Sequence, residues 1–128
     1  MNLDRAWAEA FAREWVEAWN ARDIDRIVAH YTPDATFISP VAESRLGSPR
    51  VVGHDALRAY WSGAGRYAEF IFELEHTTWD EQHRELVITY RRLVDGAPSR
   101  ACEFFRFTPS GLIAHGEAMY GASTDTKS

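Results

Sequence analysis

ELVITYRRLVDGAPSRACEFFRF, residues 85 to 107, reads as one strand from Glu85 to Val94 folded back on another from Ser99 to Phe107, with Asp95-Gly96 supplying the turn. In the second strand, alternation puts Ala101, Glu103, Phe105 and Phe107 on one side and Cys102, Phe104 and Arg106 on the other. One carboxylate, Glu103, thus shares a face with aromatic residues. Two further runs, about Ala68 to Trp79 and Leu112 to Tyr120, flank this pair, the last joined through Pro109-Ser-Gly111. Together they predict a meander of four antiparallel strands.

Upstream the period changes. Trp7, Phe11, Trp15, Ala18 and Trp19 recur at spacings of three and four, which predicts an amphipathic helix from about Asp4 to Asn20. Asp23 can cap a second, short helix marked by Ile24, Ile27, Val28 and Tyr31, which Thr32-Pro33-Asp34 ends. ATFIS, 35 to 39, reads as a short strand, and PVAESRLGSPRVVG, 40 to 53, as a loop. Asp55, Leu57, Tyr60 and Trp61 fit a third helix, ended by the Ser-Gly-Ala-Gly run at 62 to 65, and only the tail STDTKS looks loose. Helices first and strands afterwards mean an α+β fold with three helices on one face of a curved antiparallel sheet.

At 128 residues the chain is expected to form one domain, 1–128, with a core from about 4 to 122. A net charge of -5 and the lack of a basic stripe argue against a nucleic-acid partner. The absence of an apolar run of about 18 residues argues against a membrane span, and the acids near the N-terminus argue against a secretory leader, so a cytoplasmic protein is expected. Cys102 is the only cysteine, which excludes an intrachain disulfide and a thiolate-rich metal site. His30, His54, His76, His83 and His115 show no ligand spacing, so no metal is expected.

ARDIDRIVAHYTPDATFISP (21–40), VGHDALRAYW (52–61) and CEFFRFTPSGLIAHGEAMY (102–120), in this order of elements, resemble the NTF2-like superfamily, in particular its ketosteroid isomerase and SnoaL-like branches. The resemblance covers roughly residues 8 to 122 and implies a cone-shaped domain with an apolar cavity beneath the helices. It also implies an isomerase site in which Ser39, before Pro40, stands where an aspartate base would be. Trp15 stands where a tyrosine would be, and Glu103 where a protonated aspartic acid would be. Where SnoaL-like cyclases carry a histidine and an aspartate on the last strand, Gly116 and Ala118 fall here.

If the alignment holds, Glu103 faces the cavity with Tyr90 roughly opposite it on the neighbouring strand and Arg92 one diagonal step away. Desolvation would raise its pKa, and Arg92 would lower it. The alternative is a solvated or structurally paired strand glutamate. Glu103 and Tyr90 are the catalytic candidates. Trp15, Tyr31, Phe37, Ser39, Trp61, Arg92, Phe105 and Tyr120 are the substrate-binding candidates, while Trp19 reads as core. The expected function is binding of a small, cyclic, hydrophobic molecule, with cofactor-independent isomerisation, dehydration or cyclisation if there is catalysis. The rival is a non-catalytic binding or dimerisation module whose cone is filled by its own aromatics, with a void well below the ~300 Å³ of ordinary ligand sites. The opposite sheet face, with Val87, Thr89, Arg91, Leu93, Cys102, Phe104, Arg106, Ile113, His115 and Met119, mixes large apolar groups with arginines. It is expected to pair two copies, with Arg91 and Arg106 meeting Glu117 across or beside the interface.

Overall fold

A computed structural model describes residues 2–63 and 69–123. The expected strand start at Ala68, Ala64 and Gly65 of the helix-ending run, and the tail from Thr124 lie outside the described residues. Helix α1 (Arg5–Asn20) begins where the Asp4 carboxylate accepts the Trp7 N–H at 2.9 Å, and it buries Ala8, Phe11, Ala12, Trp15, Val16 and Ala18. Helix α2 (Ile24–Val28) is capped by Asp23 through the Arg26 N–H at 3.2 Å. The Arg26 guanidinium grips Glu14 with two nitrogens, which fastens α2 to α1.

Three sequence expectations are corrected in the next stretch. Tyr31 is not helical but opens strand β1 (Tyr31–Ile38), where it pairs with Ile113 and is buried. Pro33 fits inside this strand because the ladder slips between Tyr31 and Thr36, so the missing N–H breaks no bond there. The expected loop after Ser39 holds helix α3 (Pro40–Leu46) and strand β2 (Arg50–Val52). Ser39 Oγ accepts the N–H groups of Val41 and Ala42 at 3.1 and 3.4 Å, Pro40 occupies the first helical turn, and Gly47 at φ +79° ends the helix. Helix α4 (His54–Ser62) follows, so the helices number four among the described residues.

Strands β3 (Phe70–Asp80), β4 (Glu85–Val94), β5 (Ala97–Phe107) and β6 (Ile113–Ser123) form the expected meander. The sheet order is β2-β1-β6-β5-β4-β3. It is mixed rather than wholly antiparallel, because β1 runs parallel to β6. Register slips between Leu74 and His76, between Ser99 and Ala101, and between Arg106 and Phe107 are the irregularities that bend such a sheet around its helices. The last slip also corrects the placement of Ile113. It pairs with Phe107 and is buried on the inner face, while Ala114 and His115 both turn outward.

The β4–β5 hairpin fixes where Glu103 lies. Asp95 and Gly96 have φ +50° and +84°, a two-residue turn with both centres left-handed, and Val94 pairs directly with Ala97. Glu103 therefore pairs with Ile88 and Tyr90 with Ala101, two residues away from the register expected from the sequence, which had allowed the turn to extend to Pro98. Replacing Gly96 with Ala should cost about 1–2 kcal/mol, because a Cβ is strained at that φ. Urea unfolding that leaves the midpoint unchanged would contradict this turn and the register built on it.

Candidate functional site

The inner face of the sheet is packed differently at its two ends. Toward the end of β5, Trp7 and Phe11 of α1 meet Phe107 edge to face at 4.8 and 5.0 Å, and Trp79 joins them, so this end is filled. Toward the Asp95–Gly96 hairpin, Phe70 and Phe72 of β3 and Val94 of β4 border a cavity of about 70 Å³ that opens to solvent. Trp15 and Trp19 of α1 and Tyr60 and Trp61 of α4 cover it, and Phe37 of β1 and Val41 of α3 complete the apolar wall.

Glu103 lies in this wall and is 4% exposed. Strand β5 is interior to the sheet, and the residues paired beside Glu103 are Ile88 on one side and Ala118 on the other, both apolar and buried. So little of the side chain meets water that a carboxylate there is poorly solvated, and burial pushes the Glu103 carboxyl up to about 8. Two effects pull the other way and are outweighed: a hydrogen bond donated by the Tyr90 hydroxyl to Glu103 Oε1 at 3.2 Å, and the charge of Arg92. Although Tyr90 is not directly opposite Glu103, its long side chain bridges the diagonal. At neutral pH the acid is mostly protonated, and with Oε1 accepting from Tyr90, Oε2 is the oxygen left to carry the proton.

The phenols around Glu103 stay protonated. Burial raises Tyr31, Tyr90 and Tyr120 above the ordinary tyrosine value, and the Glu103 carboxylate, when charged, adds to this. Two residues of the wall hold buried donors without a partner. The indole N–H groups of Trp15 and Trp19 are buried with no partner among the described residues. An unpaired buried donor costs about 1–3 kcal/mol, so two in one cavity wall are notable.

Of the residues expected to bind substrate, Trp15, Phe37, Trp61, Arg92 and Tyr120 do line the cavity, together with Glu103 and Tyr90. Tyr31, Ser39 and Phe105 do not. Tyr31 packs behind Trp61, with ring centroids 5.3 Å apart, and Phe105 lies in the core beneath Phe11 and Trp15. Ser39 is fully buried and its hydroxyl is spent on capping α3. Trp19, read as core, is part of the wall, as are Arg45 and Tyr60, which the sequence reading left out. Arg45 was hidden because its segment read as a loop; the signal was Ser-Pro at the start and Gly47 at the end of a seven-residue helix. Among the described residues no three His, Cys, Asp or Glu side chains come together as a metal site.

The sequence that folds into this cone of helices over a curved mixed sheet is matched by a family model. The SnoaL-like domain model fits residues 12–116. The chain belongs to the SnoaL-like domain family. One similar solved structure is a SnoaL-like protein of unknown function from Burkholderia thailandensis. It is 32% identical, has a TM-score of 0.83, and the match covers 95% of this chain and 100% of that one. At 20% identity, the epoxide hydrolase/cyclase-like enzyme SalBIII, which acts in pyran ring formation in the polyether salinomycin, shares the fold. Its TM-score is 0.73, with 92% of this chain and 93% of that one covered. A candidate polyketide cyclase from Sinorhizobium meliloti, also 20% identical, has a TM-score of 0.70 over 86% of this chain and 94% of that one. None of the curated proteins matches the chain significantly.

For this SnoaL-like domain, the buried acid makes a pH prediction. Between the ordinary carboxylate range and about pH 8, the folded protein holds a proton that the unfolded chain has released. Stability should therefore fall as the pH rises through that window and level off above it, by an amount on the order of 3–5 kcal/mol. Glu103→Gln should flatten the profile, gaining on the wild type as the pH rises. Unfolding free energies of the two proteins that run parallel from pH 5 to 8 would contradict a neutral Glu103.

Proposed function

We propose that this domain binds the carbonyl end of a small, mainly apolar molecule in the aromatic cavity and moves a proton on it through Glu103, without a cofactor. The observation that carries the reading is a carboxyl group buried in a cavity wall with its pKa moved up to about 8, where an acid and its conjugate base are both useful near neutral pH. In its ionised form Glu103 takes a proton from the carbon beside the carbonyl. The electron pair moves onto the carbonyl oxygen, and the neutral acid returns the proton to the same or a neighbouring carbon. The N–H groups of Trp15 and Trp19 are buried without a partner among the described residues, and a turn of either ring toward the cavity would give the oxygen a donor as it gains charge. Tyr90 holds the Glu103 carboxyl by one oxygen. Isomerisation beside a carbonyl, and the dehydrations and aldol-type ring closures that pass through an enolate, begin with such a step, and the polyketide cyclase name carried by one structural neighbour supports that class.

The size of the cavity favours a second reading. About 70 Å³ is well below the ~300 Å³ of ordinary ligand sites. It holds only a ligand's carbonyl end, the remainder passing through the mouth. A domain whose cone is closed by its own aromatics would bind nothing. Exchange of the α-hydrogens of cyclopentanone in heavy water, followed by proton NMR, separates the two. The wild type should accelerate exchange, faster as the pH passes about 8, and Glu103→Gln should lose roughly 10²–10⁴-fold. Exchange at the buffer rate in the wild type would favour the filled module.

We also propose that the outer sheet face pairs two copies in a cytoplasmic protein. Arg91 and Arg106, expected to meet Glu117 across or beside the interface, also have partners within one chain. They pair within the chain with Glu73 and Glu85, because the antiparallel register sets those acids beside them, and Glu117 lies near His115. With its arginines already paired, a face bearing half-buried Phe104 and 49%-exposed Met119 can be covered without stranding a lone charge. Met119→Glu should shift gel filtration from dimer to monomer; a wild type that elutes as a monomer at micromolar concentration would contradict the pairing.

A further inference from the structure

The register of the three central strands places a second phenol beside the acid. Tyr90 of β4 and Tyr120 of β6 both pair with Ala101 of β5, while Glu103, two residues along, pairs with Ile88 and Ala118. Each tyrosine is therefore a diagonal neighbour of Glu103 on the inner face, one on either side. Two strand spacings, roughly 10 Å, separate their backbones, and Ala101 adds only a methyl group to the floor between them. Both tyrosines and the acid line the cavity. Their hydroxyls differ in what they already hold. That of Tyr90 donates to Glu103 Oε1, whereas that of Tyr120 lies by Ser39.

Ser39 decides where the Tyr120 proton can go. Its Oγ accepts the N–H groups of Val41 and Ala42 at 3.1 and 3.4 Å, which occupies both lone pairs of a serine hydroxyl. The residue that stands where the family resemblance places a base thus has no lone pair left to act as one, and only its own proton remains to be shared. The Tyr60 hydroxyl is 3.4 Å away, and Tyr120 is within hydrogen-bonding reach of the same oxygen. Ser39 can donate to one phenol oxygen at a time and accept from neither. Among the described residues the Tyr120 hydroxyl has no other hydrogen-bond partner, so its proton is left for whatever enters the cavity. The Arg92 guanidinium, 4.5 Å from the ring centroid, steadies the Tyr120 ring from one face.

We infer that Tyr120 is a further catalytic residue, whose phenol O–H receives the ligand's carbonyl oxygen while Glu103 works on the neighbouring carbon, and that Ser39 is the positioning residue that keeps this proton turned into the cavity. The inference rests on the proposed function for the carbon that Glu103 meets and adds the donor for its oxygen. Tyr120 needs no ring turn of the kind the two indoles require. Burial and the nearby carboxylate hold its phenol well above the ordinary tyrosine value, so it stays a neutral donor across the range in which Glu103 ionises. No proton leaves Tyr120. Its hydrogen bond strengthens as the electron pair moves onto the oxygen and relaxes when Glu103 returns the proton to carbon.

Two readouts on cyclopentanone test this: the infrared carbonyl stretch of the bound ketone, and the rate of α-hydrogen exchange in heavy water. Tyr120→Phe, which keeps the ring, should raise the stretching frequency and slow exchange by roughly 10²-fold. The pH at which exchange rises should stay at its wild-type value, because Glu103 is bonded to Tyr90 and not to Tyr120. Ser39→Gly, which retains most of the helix cap, should give part of both effects. Thermal melts close to that of the wild type show that the variants fold. A stretch and an exchange rate in Tyr120→Phe that match the wild type would overturn the Tyr120 assignment, and the proton-transfer reading would stand if exchange still depends on Glu103. A stretch that rises in Tyr120→Phe, with exchange at the buffer rate even in the wild type, would keep the donor and sink the proton transfer instead. No bound-ketone band in the wild type would overturn both.

Discussion

The desolvation of one carboxyl group governs this cavity. Among the described residues Glu103 is the only acid in the wall, and its strand neighbours Ile88 and Ala118 offer it nothing to bond. The folded chain tolerates it by keeping it protonated, with one oxygen accepting from Tyr90. A neutral acid needs no counter-charge, and the Arg92 guanidinium lies over the Tyr120 ring, 4.5 Å from its centroid. If Arg92 paired with Glu103 directly, the site would be a structural ion pair with no proton to give. The difference between a structural and a chemical residue here comes down to which of two opposing effects is larger, and burial is the larger.

The rest of the scaffold serves that placement. The Asp95–Gly96 turn sets the register that seats Glu103 beside Ile88, and the slip after Arg106 turns Phe107 and Ile113 into the filled end of the cone. The aromatic plug of Trp7, Phe11, Trp79 and Phe107 stabilises that end, each pair contributing ~1 kcal/mol beyond its buried area. An indole donor without a partner among the described residues, that of Trp79, lies in the plug itself, while at the other end those of Trp15 and Trp19 belong to residues that share a wall with the acid and the side chains of Arg45 and Arg92. Strong packing away from a site is what lets a protein keep costly groups inside it.

Much of the fold was legible because its signals are local. The period of Trp7, Phe11, Trp15 and Trp19, the Asp23 cap and the alternation around Glu103 are each read within a few residues, and each appears where expected. Errors arose where tertiary partners decide. Tyr31 has a helical spacing but joins a strand because Ile113 is there to pair with it, and Pro33 survives in that strand only because the ladder slips. The parallel β1–β6 pairing has no sequence signature of its own. Within the site, Glu103, Trp15 and Trp61 were found because the family resemblance chose the inner face that strand and helix parity had defined, whereas Arg45 and Tyr60 depend on how α3 and α4 are set against the sheet. The strand partner of Tyr90 was misplaced by the turn, yet its hydroxyl still reaches the acid, because an aromatic side chain spans a diagonal as readily as a direct pair.

The most direct test is a carboxyl titration. With the glutamate side chains labelled at Cδ with carbon-13, and Glu103→Gln used to assign the signal, NMR from pH 4 to 10 reads the Glu103 ionisation itself. A midpoint near 8, rising further in Tyr90→Phe as the hydrogen bond to the carboxylate is lost, is the result this account predicts. A midpoint in the ordinary glutamate range, near ~4, would mean that Glu103 is charged and paired at neutral pH, and the proton-transfer reading would fall with it.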